Sequence, residues 1–349
     1  MNYLTEHVQN LHPYVAGIQP TEEGWVKLNT NENPYPPSPK MLDALNNIEL
    51  STLRLYPPGD GGKMRTAIAH SLNVKEENIF CANGSDEVLA LAFQAFYSGK
   101  SPVFTPDISY GFYPVWGGMY NVGLEVVPLN DDFTLNHENY KNGMGVILAN
   151  PNAPTGLAVG LDVIEKILKQ NPGGVVLVDE AYIDFASVKS AVELVPYYEN
   201  LLVVRTFSKS HALAGMRVGY AIAQPHLING LLLVKESFNS YPLDILAQTA
   251  ASIAIADKAY LTGTLKKVIN TRNRTVQALE DMGYEVLPPQ GNFLFMNAGK
   301  KDAGELYEYL LKNKILARYW DKPRINNFLR VSIGTDEEME RFIKCVQEW

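Results

Sequence analysis

Residues 205–219 read RTFSKSHALAGMRVG, a polar loop built around one lysine, Lys209. The run LLVV at 201–204 before it and VGYAIA at 218–223 after it are largely β-branched and apolar, the composition of buried strands. The lysine therefore sits in a short link between two strands. With no crossover helix between them, those strands are expected to run antiparallel. Ser208, Ser210 and His211 flank the amine and Arg217 follows eight residues on, so a nucleophile lies among hydroxyls and a guanidinium suited to a phosphate. By itself the stretch also fits a solvated loop lysine.

Two upstream stretches narrow the choice. Leu177-Val178-Asp179-Glu180-Ala181-Tyr182 closes an apolar strand on an acid, 30 residues before Lys209, and Asn150-Pro151-Asn152-Ala153-Pro154-Thr155-Gly156 follows a strand expected over 146–148. All three polar clusters fall at strand ends, where open α/β sheets bind ligands. Amine, acid and phosphate-holding groups together meet the needs of a pyridoxal phosphate site. These segments resemble the aspartate-aminotransferase-like group of pyridoxal phosphate enzymes (fold type I), and most closely the histidinol-phosphate aminotransferases. The resemblance runs from Leu28-Asn29-Thr30-Asn31-Glu32-Asn33-Pro34-Tyr35 to Leu329-Arg330-Val331-Ser332-Ile333-Gly334-Thr335. It implies transamination between L-histidinol phosphate and 2-oxoglutarate in histidine biosynthesis. Two activities on the same scaffold stay open: an aromatic amino-acid aminotransferase and a phosphothreonine decarboxylase. A cofactor-binding regulator would need an added DNA-binding domain, for which the chain has neither spare length nor a basic helix.

The 349 residues, 46% hydrophobic, suffice for one large domain and a smaller one. A net charge of −8 without any basic block argues against nucleic acid or an anionic membrane as partner. No apolar run reaches the ~18 residues of a membrane span. Cys81 and Cys345 stand alone and the six histidines lack ligand spacing, so neither a disulfide nor a metal site is expected. The first Lys or Arg is Lys27, which leaves no charged leader and points to a cytoplasmic enzyme.

Alternating strand and helix signals up to residue 223 predict an α/β fold, a mostly parallel central sheet flanked by helices. The organisation reads as an N-terminal arm (1–35), a large cofactor-binding domain (36–243) and a small α+β domain (244–349), joined by a long helix over 260–282. In the small domain, strands are expected at 284–287, 292–296, 315–318 and 329–333. Helices are expected at 303–312 and 335–349, the last with Thr335 as N-cap and Glu338 at its third position.

Residue roles follow from this chemistry and from the resemblance. Lys209 would hold the cofactor covalently and, once freed, act as general base, a role that contributes ~10²–10⁴-fold. Asp179 would keep the ring nitrogen protonated. Tyr182 and Asn152 would meet the ring 3′-oxygen; the usual second Asn of that motif is Ala153 here. Thr206, Ser208, Arg217 and the amides of Ser85 and Asp86 would hold the phosphate, Ser85 also being a good cap for a helix over 88–97. Asp86 suits that role only with its carboxylate turned aside. By the resemblance, Tyr110 stacks on the pyridine ring and Tyr56 reaches the cofactor of a second subunit, implying a homodimer with shared sites. Tyr14 and the segment containing Asn33 would border the substrate entrance. Arg330 matches the arginine that grips a substrate carboxylate in the wider group. Histidinol phosphate carries a phosphorylated alcohol there, so a second cation is expected from Arg318 or Arg341, with Tyr14 and Tyr241 as hydroxyl donors. Arg318 and Arg341 equally suit surface ion pairs.

Overall fold

Residues 175–178 and 201–204 are apolar at every position because both faces of the sheet they build are covered. In the computed structural model, which describes residues 3–15 and 17–349, seven strands form that sheet. Their order is Ile79–Ala82, Gly219–Ala223, Leu201–Thr206, Val175–Asp179, Gly145–Ala149, Val103–Pro106, Leu124–Val127. Gly219–Ala223 runs antiparallel to both its neighbours, as the short link through Lys209 requires, and the remaining adjacent pairs are parallel.

Successive side chains enter two cores. Val176, Val178, Leu201 and Val203 meet the helices Gly62–Leu72, Leu161–Gln170 and Ile245–Ala256. Leu177, Leu202 and Val204 meet Gly84–Ala92, Tyr113–Met119 and Pro225–Phe238. Each such burial contributes ~1.5–3 kcal/mol, so the strand ends are held firmly. Register places Ala149 beside Asp179 and Asp179 beside Val204, which brings the polar groups that follow these strands out along one edge.

The smaller unit is a four-stranded antiparallel sheet in the order Arg318–Tyr319, Phe328–Ser332, Phe293–Asn297, Glu285–Val286. Helices Ala303–Lys312 and Asp336–Glu348 and the long helix Lys258–Asp281 pack on it through Leu306, Leu310, Phe342, Val346, Val268 and Leu279. The expected capping box is present, with Thr335 and Glu338 each satisfying the other's backbone N–H.

Packing redraws two boundaries. Helix Ile245–Ala256 buries Ala247, Ala250, Ala251 and Ala254 in the core of the large sheet, so a small domain beginning at 244 starts too early and the change falls in the following helix. Val26–Lys27 pairs with Ile315–Leu316, and Val26 and Leu28 join the small core, so the end of the arm belongs to the small unit. Two helices carry little sequence signal: Gly62–Leu72 opens on paired glycines at positive φ, and Tyr113–Met119 contains Pro114, Gly117 and Gly118. Tertiary burial of Met64 and Ile68, and of Tyr113 and Trp116, overrides those local breakers.

Candidate active site

At the carboxyl edge of the central strands lies a cavity of about 220 Å³. Lys209, half-buried, reaches it from the loop after Leu201–Thr206; its Nζ donates to Thr30 O at 3.0 Å and stands 5.8 Å from the Tyr182 ring centre. The loop is braced on both sides. Asn33 Nδ2 donates to the backbone oxygens of Lys209 (3.0 Å) and Ser210 (3.1 Å), and Ser210 Oγ donates to Asp184 at 2.5 Å. Asp184 and buried Glu180 in turn pair with Arg205, at 2.8 and 3.5 Å. Arg205 holds Asp184 below the usual carboxylate range against the opposing effect of burial.

Asp179 ends its strand at the cavity floor, 5% exposed. Tyr113 Oη and the Ala181 N–H donate to it, both at 3.1 Å, yet burial pushes its carboxyl up to about 7. No Lys, Arg or His pairs with it among the described residues. An acid held this way fits a cationic ring nitrogen, which would restore its ordinary ionisation.

Opposite the floor is an anion cradle. Ser85 and Asp86, in the first turn of helix Gly84–Ala92 where backbone N–H groups lack intrahelical partners, line the cavity with Thr206, Ser208 and Arg217. The parts touch so closely that glycine is required twice: a Cβ on Gly219 would lie 2.2 Å from Ser85 N, and one on Gly84, at φ +79°, 2.9 Å from Arg217 Nη2. Thr206 Oγ1 accepts from Ser208 N and donates to Ser208 Oγ, fixing that hydroxyl. The Asp86 carboxylate takes Arg217 Nη2 at 3.0 Å and Tyr110 Oη at 3.1 Å, both from residues that line the same cavity. Tyr110 lines the cavity and stands edge-on to Tyr113.

The far wall comes from the small unit. Arg318 and Arg330 are register partners on adjacent antiparallel strands, and both line the cavity with Tyr14. Arg330 Nη2 donates to Asn29 O at 2.6 Å, its Nε is buried without a partner, and it stacks over Phe293 and Trp320. Arg318 covers the same indole and donates to Val15 O. Neither has a carboxylate partner among the described residues. Burial and the neighbouring Arg318 both press the Arg330 guanidinium toward losing its charge, the condition an anion relieves.

Four sequence expectations change. Asn152 does not line the cavity: its amide donates to Ile108 O (2.9 Å) and Thr155 Oγ1 (3.0 Å) and accepts from Ser109 (2.8 Å), and it borders a separate apolar cavity. Ala153 faces the site in its place. Asn33 is a backbone clamp rather than an entrance residue, because its Nδ2 donates twice to the lysine loop while its Oδ1 accepts from Tyr35 N. Arg341 lies outside the cavity, its guanidinium closing on Gly24 O and Asn313 O. Tyr241, expected as a hydroxyl donor, does not line the cavity: it stacks on Tyr56, itself 82% exposed, at 4.6 Å. The sequence reading in turn missed the backbone contacts of Asn29 and Thr30; three Asn within 29–33, on an arm otherwise poor in structure signals, were the available clue.

Residues 23–346 match the family described as aminotransferase class I and II. A histidinol-phosphate aminotransferase of Acinetobacter baumannii (strain SDF) is 46% identical over 353 residues, spanning 100% of this chain and 97% of the relative. One from Marinomonas sp. is 48% identical, with 97% and 96% covered. A crystal structure of histidinol-phosphate aminotransferase from Sinorhizobium meliloti, solved in complex with pyridoxal-5′-phosphate, superposes with a TM-score of 0.88 at 24% identity, covering 100% and 97% of the two chains. The chain thus belongs to the class I and II aminotransferases and, among them, to the histidinol-phosphate aminotransferases.

Proposed function

We infer that the chain transfers an amino group between L-histidinol phosphate and 2-oxoglutarate, as a step of histidine biosynthesis, using pyridoxal phosphate held at Lys209. Pyridoxal phosphate supplies a carbonyl that accepts the amino group and a ring that withdraws electrons from the substrate Cα. The residues present suit it: an amine, an acid raised to about 7 by burial, and an anion cradle where a Cβ on Gly84 or Gly219 would leave no room. Lys209, tethered to Thr30 O, is the base for the proton at the substrate Cα. Asp179 keeps a proton on the ring nitrogen, and Ser85, Ser208 and Arg217 hold the phosphate.

The observation that carries the substrate assignment is the pair Arg318 and Arg330, two guanidiniums side by side in one wall without an acid. A monoanionic amino-acid carboxylate is served by one of them; a phosphate ester, with up to two charges and three oxygens, uses both. Steady-state rates with histidinol phosphate, phosphothreonine and phenylalanine, each with 2-oxoglutarate, test it. Arg330→Ala is expected to lower kcat/KM for histidinol phosphate roughly 10- to 100-fold, the ~1.5–3 kcal/mol of a charge-assisted contact. Arg318→Ala should hurt the phosphate ester more than phenylalanine. Equal losses on both substrates would favour the aromatic aminotransferase. The working unit in this reading is a cytoplasmic homodimer, supported by the exposed Tyr56–Tyr241 stack amid exposed Leu50, Leu53, Leu55 and Phe238.

A further inference from the structure

Tyr182 lines the cavity, but its hydroxyl is not free to turn. Asn31, 1% exposed and held at φ +54°, donates its Nδ2 to Tyr182 Oη at 3.0 Å. Which end of that amide faces the tyrosine is set by the opposite side. Ser332 Oγ accepts the Asn31 backbone N–H at 2.8 Å and gives its own proton to Asn31 Oδ1 at 2.9 Å, leaving Nδ2 as the end that meets the phenol. Asn292 Nδ2 fixes Asn31 O at 3.0 Å, so the residue is anchored at backbone and side chain alike. A phenol oxygen that already accepts from an amide keeps its single proton for another acceptor. With Asn152 tied to Ile108, Ser109 and Thr155, and Ala153 offering only a methyl group, hydrogen-bond donation to a ring oxygen at this end of the cavity rests on Tyr182.

We propose that Asn31 is a positioning residue that orients the Tyr182 hydroxyl so that its proton points at the cofactor's ring oxygen; this rests on the pyridoxal phosphate reading above. Lys209, Arg330, Tyr110 and Tyr113 are the other ionisable groups whose charge is felt at Tyr182. All four are unaltered in the comparison that follows.

The test is a pH titration of the visible absorbance of the protein loaded with pyridoxal phosphate, in a cycle of Asn31 variants against Tyr182→Phe. Tyr182→Phe removes the donor and should raise the midpoint by on the order of one pH unit. Asn31→Asp keeps the Ser332 contact and the backbone conformation but offers the phenol an acceptor, pulling its proton away from the cofactor. It should raise the midpoint in the Tyr182 protein by clearly more than in the Tyr182→Phe protein, where only the added charge acts. Asn31→Gly tolerates the positive φ and adds no charge, so it should shift the Tyr182 protein alone. Equal shifts in both backgrounds, no shift from Asn31→Asp beside Tyr182, or no shift from Tyr182→Phe would each overturn the proposal. Failure of the unmodified protein to develop visible absorbance on loading would overturn the cofactor reading itself, and with it this inference, and is distinguishable because it precedes any variant.

Discussion

The cofactor side and the substrate side of the cavity are built on opposite electrostatic plans. On the large sheet the arginines are matched: Arg217 pairs with Asp86, and Arg205 with Glu180 and Asp184. On the small sheet Arg318 and Arg330 face the cavity with aromatic rings and backbone carbonyls as their company. A matched wall is ready for a resident group whose charge is already counted. An unmatched wall holds positive potential in reserve for an anion that comes and goes. Buried charge without a partner is costly, so the second plan persists only where a ligand offsets it.

The largest expected effect breaks the cofactor side at its centre. Lys209→Ala should lower transamination by ~10²–10⁴-fold or more, since it removes both the covalent tether and the base. Borohydride reduction of the loaded protein should leave the pyridoxyl label on the peptide holding Lys209, and recovery of the label on another lysine would end the assignment. Mixing Lys209→Ala chains with Tyr56→Phe chains, each impaired alone, sharpens the picture. Regained activity after subunit exchange would show that Tyr56 serves the neighbouring site, and its absence would show that each chain's site is complete.

The two walls also differed in how far the sequence revealed them. Lys209, Asp179, Ser208 and Arg217 each stand within a few residues of a strand end, so the apolar runs placed them at the sheet edge and the resemblance supplied their roles. Arg318 and Arg330 had to find each other through the pairing of two short strands, one only two residues long. The strap at 28–33 was harder still. Its Asn31–Ser332 contact spans 301 positions, and Thr30 and Asn29 act through backbone oxygens that any residue type carries. The same limit explains Arg341: its distance in sequence from Arg330 suited a second cation, but the face of its helix was fixed by Phe342, Cys345 and Val346 turning into the core. Asn152 and Ala153 failed for a finer reason. Adjacent residues in an irregular loop point to different sides, and the motif does not say which side holds the ligand.

A smaller effect tests whether the cofactor wall is matched only once the cofactor is in place. Asp179 has an ordinary carboxyl value of 3.8 and sits at about 7 in the folded, cofactor-free protein. Between those values the folded chain holds a proton that the unfolded chain has lost, so this group makes stability fall as pH rises from about 4 to 7. Asp179→Asn removes that fall. Without cofactor, the variant should be more stable than the parent at pH 8 by roughly 3–4 kcal/mol, and no more stable near pH 4. Adding pyridoxal phosphate should stabilise the parent much more than the variant. Urea titrations at both pH values, with and without cofactor, measure this. A parent whose cofactor-free stability is flat from pH 5 to 8 would mean that Asp179 is already paired.

The smallest expected effect on activity probes the boundary between the two walls. Asn152 stands next to Ala153, yet its side chain links Ile108, Ser109 and Thr155 and so ties the 150–156 loop to the turn that carries Tyr110. Asn152→Ala leaves those partners short of a hydrogen bond, a cost of ~1–3 kcal/mol in folding stability. Because the lost contacts lie behind the cavity lining, kcat/KM should stay within about threefold of the parent, the scatter expected of a small second-hand displacement. The absorbance of bound cofactor and its pH midpoint should be unchanged. Tyr182→Phe is the control in the opposite sense, with the absorbance midpoint moved. A tenfold or larger loss of activity in Asn152→Ala, with a shifted midpoint, would mean that the amide turns into the cavity when the cofactor binds. The ring oxygen would then have two donors, and the cofactor wall would be less rigid than its matched charges suggest.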